Sequence, residues 1–298
     1  MIYTVTLNPS IDHYIFCASD ILPERTNRAE RTANLCGGKG INVSIVCAAL
    51  GLETVCTGFQ GGFTGKELLR QLDLHGITHD FVTTANETRI NTKIINNGKV
   101  TEINAKGPDI KKEEKEKLLD LLSGIRAKDT VVLSGSVPDT PGLLEDVIKT
   151  VKSTGARFIA DTSGDALTEC VNHHPFLIKP NREELAAYFG CGGGEIDIAG
   201  AAVKLLDRVE NVLVSDGERG AFFVNKNGIR YLPVTDTGYK AKNTTGAGDS
   251  MTAGYLYGEK NGLDPFVCAV SAGSASAYSE GLFEKNIFDA VIKSYKTV

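Results

Sequence analysis

The sequence predicts an α/β fold with a mostly parallel central sheet, helices on both of its faces, and a small β-sheet lid. After residue 130, short apolar runs typical of buried strands alternate repeatedly with helical patterns. Strands separated by helices form parallel sheets that are covered on both faces. Before residue 110, two stretches instead alternate polar and apolar residues, as half-exposed strands do. These stretches predict lid segments at about residues 9–35 and 88–106.

Length and composition predict a single domain covering residues 1–298, with the lid inside it. The chain has 42% hydrophobic and 23% charged residues, which is ordinary for a globular protein. Its net charge is −5 without a long basic run, so nucleic acid is not expected as its main partner. No apolar run approaches the roughly 20 residues that span a bilayer, and the N-terminus does not resemble a signal peptide. Seven scattered cysteines without a C-x-x-C pair favour a reducing, cytoplasmic location.

Each element follows from a local pattern. Pro9 ends the first strand, because proline cannot continue regular pairing. Asn97-Gly98 is typical of a tight hairpin turn between two lid strands. The charge run within 111–122 is interpreted as the solvated face of an amphipathic helix. Strands are expected at 1–7, 54–59, 77–82, 88–95, 99–104, 130–133, 157–160, 176–178, 211–214, 221–224 and 229–234. Helices are expected after the glycines at 37–40 and at 66–75, 111–122, 143–154, 165–172, 185–189, 199–206, 250–258, 264–279 and 287–295.

A glycine-rich turn near the C-terminus opens one of these helices. Gly246, Ala247 and Gly248 would leave backbone N–H groups unpaired at the helix start, where the helix dipole adds positive character. Such a place suits a phosphate or a developing oxyanion. Asp249 repels a bound phosphate, but its carboxylate suits a general base that takes the proton of an attacking hydroxyl. A plain turn, with Asp249 as an N-terminal helix residue, is the alternative that this stretch leaves open.

A second glycine-rich turn, at residues 37–40, precedes another helical pattern. Gly37 and Gly38 would let a ligand approach the backbone, and Lys39 would complement an anionic group. The spacing is not that of a Walker A loop. Two such helix starts, one with a lysine and one with an aspartate, fit two anions held near one hydroxyl.

Polar residues follow several strands at the edge where parallel sheets bind ligands. Asp12 comes just after the first strand, although a role in capping a turn explains it equally well. Asn181 and Glu184 lie one helical turn apart, a spacing that suits ordering of the hydration shell of magnesium. The other polar or glycine residues at strand ends are Ser134, Asp161, Lys179, Ser215 and Gly217.

One lid strand carries three polar residues on a single face. Arg89, Asn91 and Lys93 share that face because side chains alternate along a strand. The face would either meet a phosphate or be solvated, and alternation alone favours the solvated reading.

Together these stretches resemble the PfkB branch of the ribokinase-like carbohydrate kinases over essentially the whole chain. Residues 243–249 match the C-terminal signature of that family, residues 37–43 match its N-terminal signature, and residues 179–184 resemble its magnesium and nucleotide motif. The resemblance implies Asp249 as the base and Gly246, Ala247 and Gly248 as the anion hole. It implies that a sugar phosphate is bound by Asp12, Arg28, Gly37, Gly38, Lys39, Asn42, Arg89, Asn91 and Ser136, with Lys39 and Arg89 on its phosphate. It implies that ATP is bound by Lys179, Asn181, Glu184, Ser215, Gly217, Gly220 and Ser274, with Asn181 and Glu184 holding Mg²⁺ through water.

Within the family, the runs at 6–12, 27–28, 37–39, 88–91, 101–104, 134–136 and 161–164 resemble the 1-phosphofructokinases most. This resemblance implies transfer of a phosphoryl group from ATP to D-fructose 1-phosphate, giving D-fructose 1,6-bisphosphate. Tagatose-6-phosphate kinases share most of these runs, so tagatose 6-phosphate and fructose 6-phosphate stay open as acceptors. A non-catalytic sugar-phosphate sensor is the alternative of another class, and the presence of Asp249 argues against it.

Two residues depart from the family pattern. Asn243 stands where many members carry Asp, and Asp216 stands where an apolar residue is commoner. Asp216 would put a charge near the expected nucleotide. The exposed edges of the lid predict a homodimer that pairs through the lid sheet, since uncovered strand edges invite association.

Overall fold

The structure, a computed structural model, describes residues 1–97, 99–191 and 195–296. Within them the chain forms two β-sheets and ten α-helices. In spatial order, the strands of the large sheet are β13 (Gly228–Leu232), β12 (Ala221–Asn225), β11 (Asn211–Ser215), β10 (Leu177–Ile178), β9 (Arg157–Asp161), β8 (Thr130–Ser134), β1 (Ile2–Thr6), β4 (Thr54–Gln60) and β5 (Thr78–Thr83). The small sheet has the order β3 (Arg31–Gly37), β2 (Ser10–Cys17), β6 (Arg89–Asn96) and β7 (Lys99–Asn104). The helices are α1 (Lys39–Ala49), α2 (Gly62–Leu74), α3 (Lys112–Ser123), α4 (Leu143–Ser153), α5 (Gly164–Asn172), α6 (Arg182–Tyr188), α7 (Ile198–Val203), α8 (Ala247–Lys260), α9 (Pro265–Tyr278) and α10 (Lys285–Lys296).

The large sheet is parallel from β11 to β5, and the β12–β13 hairpin adds an antiparallel edge. Strand β1 lies between β4 and β8, so the chain builds the sheet outward from β1 in both directions. In open α/β sheets such a switch point leaves a crevice at the carboxyl ends of the strands. The topology therefore places a ligand crevice beside the end of β1. None of the described helices is long and apolar enough to cross a membrane.

Two hydrophobic cores cover the two faces of the large sheet. Successive residues of β8 alternate between them: Val131 and Leu133 pack in the core with α3 to α7, and Val132 packs in the core with α1 and α8 to α10. Because both faces are buried, the strands are almost continuously apolar instead of alternating. This arrangement confirms the predicted mostly parallel sheet with helices on both faces.

The small sheet consists of two antiparallel hairpins joined by the parallel pair β2–β6. Strands β2, β6 and β7 lie within the predicted lid segments, and β3 extends two residues beyond the first of them. Ile11 and Cys36 of this sheet pack with Leu68 and Leu72 of α2. At the predicted hairpin turn, Asn97 has a φ of 47°, as the first position of a type I′ turn requires. Gly98, the second residue of that turn, lies outside the described residues.

Several helices begin earlier than their apolar periodicity predicts. Helix α6 starts at Arg182 instead of 185 because Asn181 and Glu184 cap it reciprocally. Helix α2 starts at Gly62 instead of 66, where the glycine before it lies against the backbone of residue 86. Helix α8 starts at Ala247 instead of 250. The start of α6 depends on capping and the start of α2 on close approach of the backbone, and an apolar period records neither.

Candidate active site

A cavity of about 1090 Å³ opens where the carboxyl ends of the strands face the inner side of the lid. It lies at the crevice that the switch point at β1 predicts. The predicted site residues that line it are Asp12, Gly38, Lys39, Asn42, Arg89, Asn91, Ser136, Lys179, Asn181, Glu184, Ser215, Gly217, Gly220, Gly246, Ala247, Gly248, Asp249 and Ser274. Segments far apart in the chain thus meet at one cavity.

Two predicted substrate residues do not line the cavity. Arg28 is exposed in the loop between β2 and β3. Gly37 lies behind Asp12, and a side chain at 37 would overlap the Asp12 carboxylate and the Ser10 hydroxyl. Because glycine has no side chain, Gly37 leaves room for Asp12.

Asp249 lies in the first turn of α8 and is 5% exposed. The turn before it is possible because Gly246, the N-cap, adopts a φ of 79°, which glycine tolerates. The amide of Asn42 donates to Asp249 Oδ2 at 2.7 Å. Burial, followed by repulsion from the Asp161 carboxylate, raises the pKa of Asp249 to about 7. A carboxylate with such a pKa is well suited to accept a proton near neutral pH.

The glycine-rich turn beside Asp249 is closely packed and partly unpaired. A side-chain carbon at Gly248 would lie 2.9 Å from Lys179 Nζ, so only glycine leaves that ammonium in place. The N–H of Ala247 donates to the Thr244 carbonyl at 3.2 Å. Among the described residues, the N–H groups of Gly246 and Gly248 have no protein acceptor. Two of the three predicted anion-hole amides are therefore open, and the third is occupied by the turn itself.

Asn243 supports the same turn. Its side-chain Oδ1 accepts a hydrogen bond from the N–H of Thr245 at 3.0 Å. An aspartate would accept the same bond, so the departure from the family pattern at 243 keeps the local geometry.

Asp161, at the end of β9, is fully buried between two lysines. Lys39 Nζ lies 3.4 Å from Asp161 Oδ1, and Lys179 Nζ lies 3.3 Å from Asp161 Oδ2. These lysines hold the pKa of Asp161 below its usual range despite its burial. Asp161 in turn raises the pKa of Lys39, which also lies 3.6 Å from Glu184. Asp161 was predicted only as one of the polar residues at strand ends, without a role in the site.

Asn181 and Glu184 form a reciprocal capping box at the start of α6. The N–H of Glu184 donates to Asn181 Oδ1 at 2.7 Å, and the N–H of Asn181 donates to Glu184 Oε2 at 2.9 Å. Each group keeps further lone pairs at the cavity, which fits contact with a magnesium ion through water. The described residues contain no cluster of three or more His, Cys, Asp or Glu that could hold a metal directly. Such a donor set agrees with Mg²⁺, which usually keeps several waters and relies on substrate phosphates.

The polar face of β6 is turned inward and is not solvated. Asn91 is 8% exposed and donates to Ser10 and Asp12, while Lys93 is 7% exposed and lies 3.2 Å from Asp12 Oδ2. Lys93 also donates to the Tyr14 hydroxyl at 3.4 Å. Lys93 was on the noted face but not among the predicted site residues. Lys93 lies two residues after Asn91 on the same strand, and this spacing is the sequence signal that places it on the same face.

Arg89, on the same face, has an unusual set of partners. Its guanidinium donates to the carbonyls of Ala105 and Asn8 and to the Ser136 hydroxyl, at 2.9 to 3.2 Å. Among the described residues it forms no ion pair with a carboxylate, and its Nε is buried without an acceptor. Burial lowers its pKa. The other cations that line the cavity, which are Lys39, Lys93, Lys179, Arg182 and Arg219, each lie within 4 Å of a carboxylate.

Comparison with known proteins places this site in a family. The sequence model of the pfkB family carbohydrate kinases matches residues 5–278. The chain belongs to this family of carbohydrate kinases. The predictions of a PfkB-type enzyme and of a ribokinase-like fold are therefore confirmed.

Curated relatives of this pfkB-family kinase act on different sugar phosphates. A 1-phosphofructokinase from Borreliella burgdorferi is 38% identical, with 95% of this chain and 94% of the relative covered. A D-tagatose-1-phosphate kinase from Bacillus licheniformis is 34% identical, with 97% and 96% covered. The structure of phosphofructokinase-2 from Escherichia coli in complex with fructose-6-phosphate has a TM-score of 0.90 at 27% identity, with 99% of both chains covered. The family is thus clear, and its members differ in acceptor.

Proposed function

We propose that this pfkB-family kinase transfers the γ-phosphoryl group of Mg-ATP to D-fructose 1-phosphate, giving D-fructose 1,6-bisphosphate. The observation that carries the sugar-phosphate class is Arg89, a partly buried cation on the cavity wall that, among the described residues, has no carboxylate within ion-pair distance. A phosphate dianion on the acceptor would supply the missing counter-charge through charge-assisted hydrogen bonds. The fructose 1-phosphate assignment is supported by the name of the B. burgdorferi relative and by the matching runs in the sequence.

The proposed chemistry is an in-line displacement with Asp249 as the general base. Its carboxylate accepts the proton of the free primary hydroxyl of the sugar, and that oxygen forms the new bond to the γ-phosphorus. The bond from the γ-phosphorus to the bridging oxygen breaks, and ADP leaves with the electron pair. The open amides of Gly246 and Gly248, at the positive end of α8, would stabilise the charge that develops.

The remaining cavity residues divide between the two substrates. Asp12, Gly38, Asn42, Asn91 and Ser136 would hold the sugar. ATP would lie along Lys179, Ser215, Gly217, Gly220 and Ser274. Mg²⁺ would be held through water by Asn181 and Glu184, where it neutralises charge on the phosphates. Lys39, which lies beside Asp161 and Glu184, would face the transferred phosphoryl group as well as the sugar phosphate.

The acceptor is tested by ADP release from Mg-ATP at sub-saturating fructose 1-phosphate, tagatose 6-phosphate, fructose 6-phosphate and tagatose 1-phosphate. We expect the highest kcat/KM with fructose 1-phosphate. A higher value with another of these sugars would keep the mechanism and overturn the acceptor assignment. ADP release with none of them would favour a sugar-phosphate sensor.

We also propose a homodimer that associates through the lid. The small sheet exposes Leu35, Ile90, Val100 and Ile103, each by 41% or more, and ends in the uncovered edges of β3 and β7. Exposed apolar strands of this kind are usually covered by a partner. Light scattering at micromolar concentration should give twice the chain mass of 31.9 kDa. Replacing Ile103 by Lys should shift the mass toward the monomer, and a monomeric wild type would refute the dimer.

A cytoplasmic location without a nucleic-acid partner is part of the same proposal. The net charge of −5 is unfavourable for phosphate backbones. Burial raises the pKa of the Cys47 and Cys56 thiols to about 12, so these cysteines are inert packing residues of the kind common in reducing compartments.

A further inference from the structure

A buried carboxylate holds two arginines at one edge of the cavity. The Asp216 side chain is 3% exposed, and each of its oxygens accepts two hydrogen bonds from guanidinium groups. Arg182 Nη2 donates to Oδ2 at 2.7 Å, and Arg219 Nη2 donates to Oδ1 at 2.7 Å. These bonds hold the pKa of Asp216 well below its usual range. The charge that departs from the family pattern is therefore fully compensated inside the protein.

The cluster joins the two chain segments proposed to bind the nucleotide. Arg182 is the first residue of α6, directly after Asn181, whereas Asp216 and Arg219 lie in the turn between β11 and β12. The backbones of the two segments also meet, because the N–H of Ser215 donates to the Pro180 carbonyl at 3.1 Å. Asp216 thus fixes the distance between the α6 start and the turn.

The two arginines are not equivalent. Arg182 is the anchor, since its side chain is 21% exposed and also donates to the Ile196 carbonyl. The Arg219 side chain is 63% exposed and lines the cavity. It binds Asp216 through Nε and Nη2, which form one edge of the planar guanidinium. Its Nη1 donors are therefore directed away from the carboxylate.

The cluster of Asp216 with two arginines carries one surplus positive charge, so one guanidinium can bind an anionic ligand. One arginine neutralises Asp216, and the second adds a positive charge that the carboxylate does not need. The exposed carboxylates Glu183 and Glu218 lie at the same edge, so long-range attraction of an anion is weak there. What the cluster offers is local, namely N–H donors held in a fixed direction at the cavity wall.

We propose that Arg219 binds the phosphate chain of the donor nucleotide and that Asp216 is the positioning residue that holds Arg219 for this contact. This role rests on the proposed kinase function. The competing explanation is that the ion pairs only fasten the turn to α6. The two explanations differ in their kinetics, because fastening alone gives Arg219 no direct effect on the nucleotide.

The test is the steady-state kinetics of Arg219→Gln, with Arg230→Gln as its matched control. Arg230 is also exposed and forms a bidentate pair, with Asp264, but it does not line the cavity. We expect the KM for Mg-ATP to rise about tenfold in R219Q, as for loss of one charge-assisted hydrogen bond, with kcat and the KM for the sugar phosphate within about twofold. R230Q should leave all three constants unchanged. An unchanged KM for Mg-ATP in R219Q would overturn the role.

A double-mutant cycle tests whether Asp216 acts through Arg219. Asp216→Asn alone should raise the KM for Mg-ATP, and the same change in the R219Q background should raise it by a clearly smaller factor, because only the Arg182 contact of Asp216 is then left to lose. Additive effects would show that Asp216 does not act through Arg219.

Calorimetric titration with Mg-ADP makes the test independent of turnover. If the wild type phosphorylates no sugar, the proposed function fails, yet weaker Mg-ADP binding in R219Q would still support the contact and equal binding would overturn it.

Discussion

Replacing Asp249 by Asn should lower kcat about a thousandfold while both KM values stay within a few-fold. General-base catalysis contributes ~10²–10⁴-fold, and an amide of nearly the same shape cannot accept the proton. The hydrogen bond from Asn42 has a partner of similar geometry in the variant, so binding should change little. A rate near that of the wild type would refute Asp249 as the base.

The pH dependence of wild-type kcat is a second test of Asp249 as the general base. Because burial and Asp161 raise the pKa of Asp249, the base becomes protonated as the pH falls below about 7. We expect kcat to fall about tenfold for each pH unit below about 7. The residual rate of D249N should not show this decrease. A pH profile that is flat between 5 and 8 would contradict this assignment.

The melting temperature of D249N shows whether the variant loses activity because the base is gone or because the fold is damaged. A carboxyl whose pKa is raised in the folded state destabilises the fold increasingly between its unfolded pKa, near 4, and about 7. D249N removes this effect, so its melting temperature at pH 8 should equal or exceed that of the wild type. Asp129→Asn is the matched control, because Asp129 is also buried but binds the N-terminal ammonium, away from the cavity. It should lower the melting temperature without affecting kcat.

The predicted site residues that line the cavity have local patterns of their own. Gly246 to Asp249 form a glycine-rich helix start, and the alternation of Val131, Val132 and Leu133 between two cores explains the continuous apolar runs that predict a parallel sheet. Such patterns are set by neighbours in the chain. They therefore predict elements and strand ends well, and the topology of parallel sheets then brings those ends together.

The parts that the sequence analysis missed depend on contacts between distant residues. Asp161 has no distinctive local pattern, and its role appears only because Lys39, 122 positions away, reaches it. Asp216 was expected to put a charge near the nucleotide, but Arg182, 34 positions away, neutralises it. Arg28 illustrates the opposite case, since a residue in a matching run lies in an exposed loop outside the cavity.

Removing the charge of Arg89 should weaken binding of the sugar phosphate and leave ATP unaffected. Arg89 is held by three uncharged acceptors, so its position does not depend on a carboxylate that would compete with the ligand. In Arg89→Met, we expect kcat/KM for the sugar phosphate to fall about 100-fold, mainly through KM. This lies within the ~2–5 kcal/mol that loss of one partner of a buried charge pair costs.

Two further variants show whether the effect belongs to the phosphate contact. Arg89→Lys keeps the charge but loses the planar fork, so its kcat/KM should lie between those of the wild type and R89M. Arg208→Gln is the matched surface control, because Arg208 donates to Asn172 in an exposed position outside the cavity, and it should behave as the wild type. An equal rise in KM for Mg-ATP in R89M would place the donor nucleotide on Arg89. An unchanged KM for every sugar phosphate would contradict the inference that the phosphate of the acceptor pairs with Arg89.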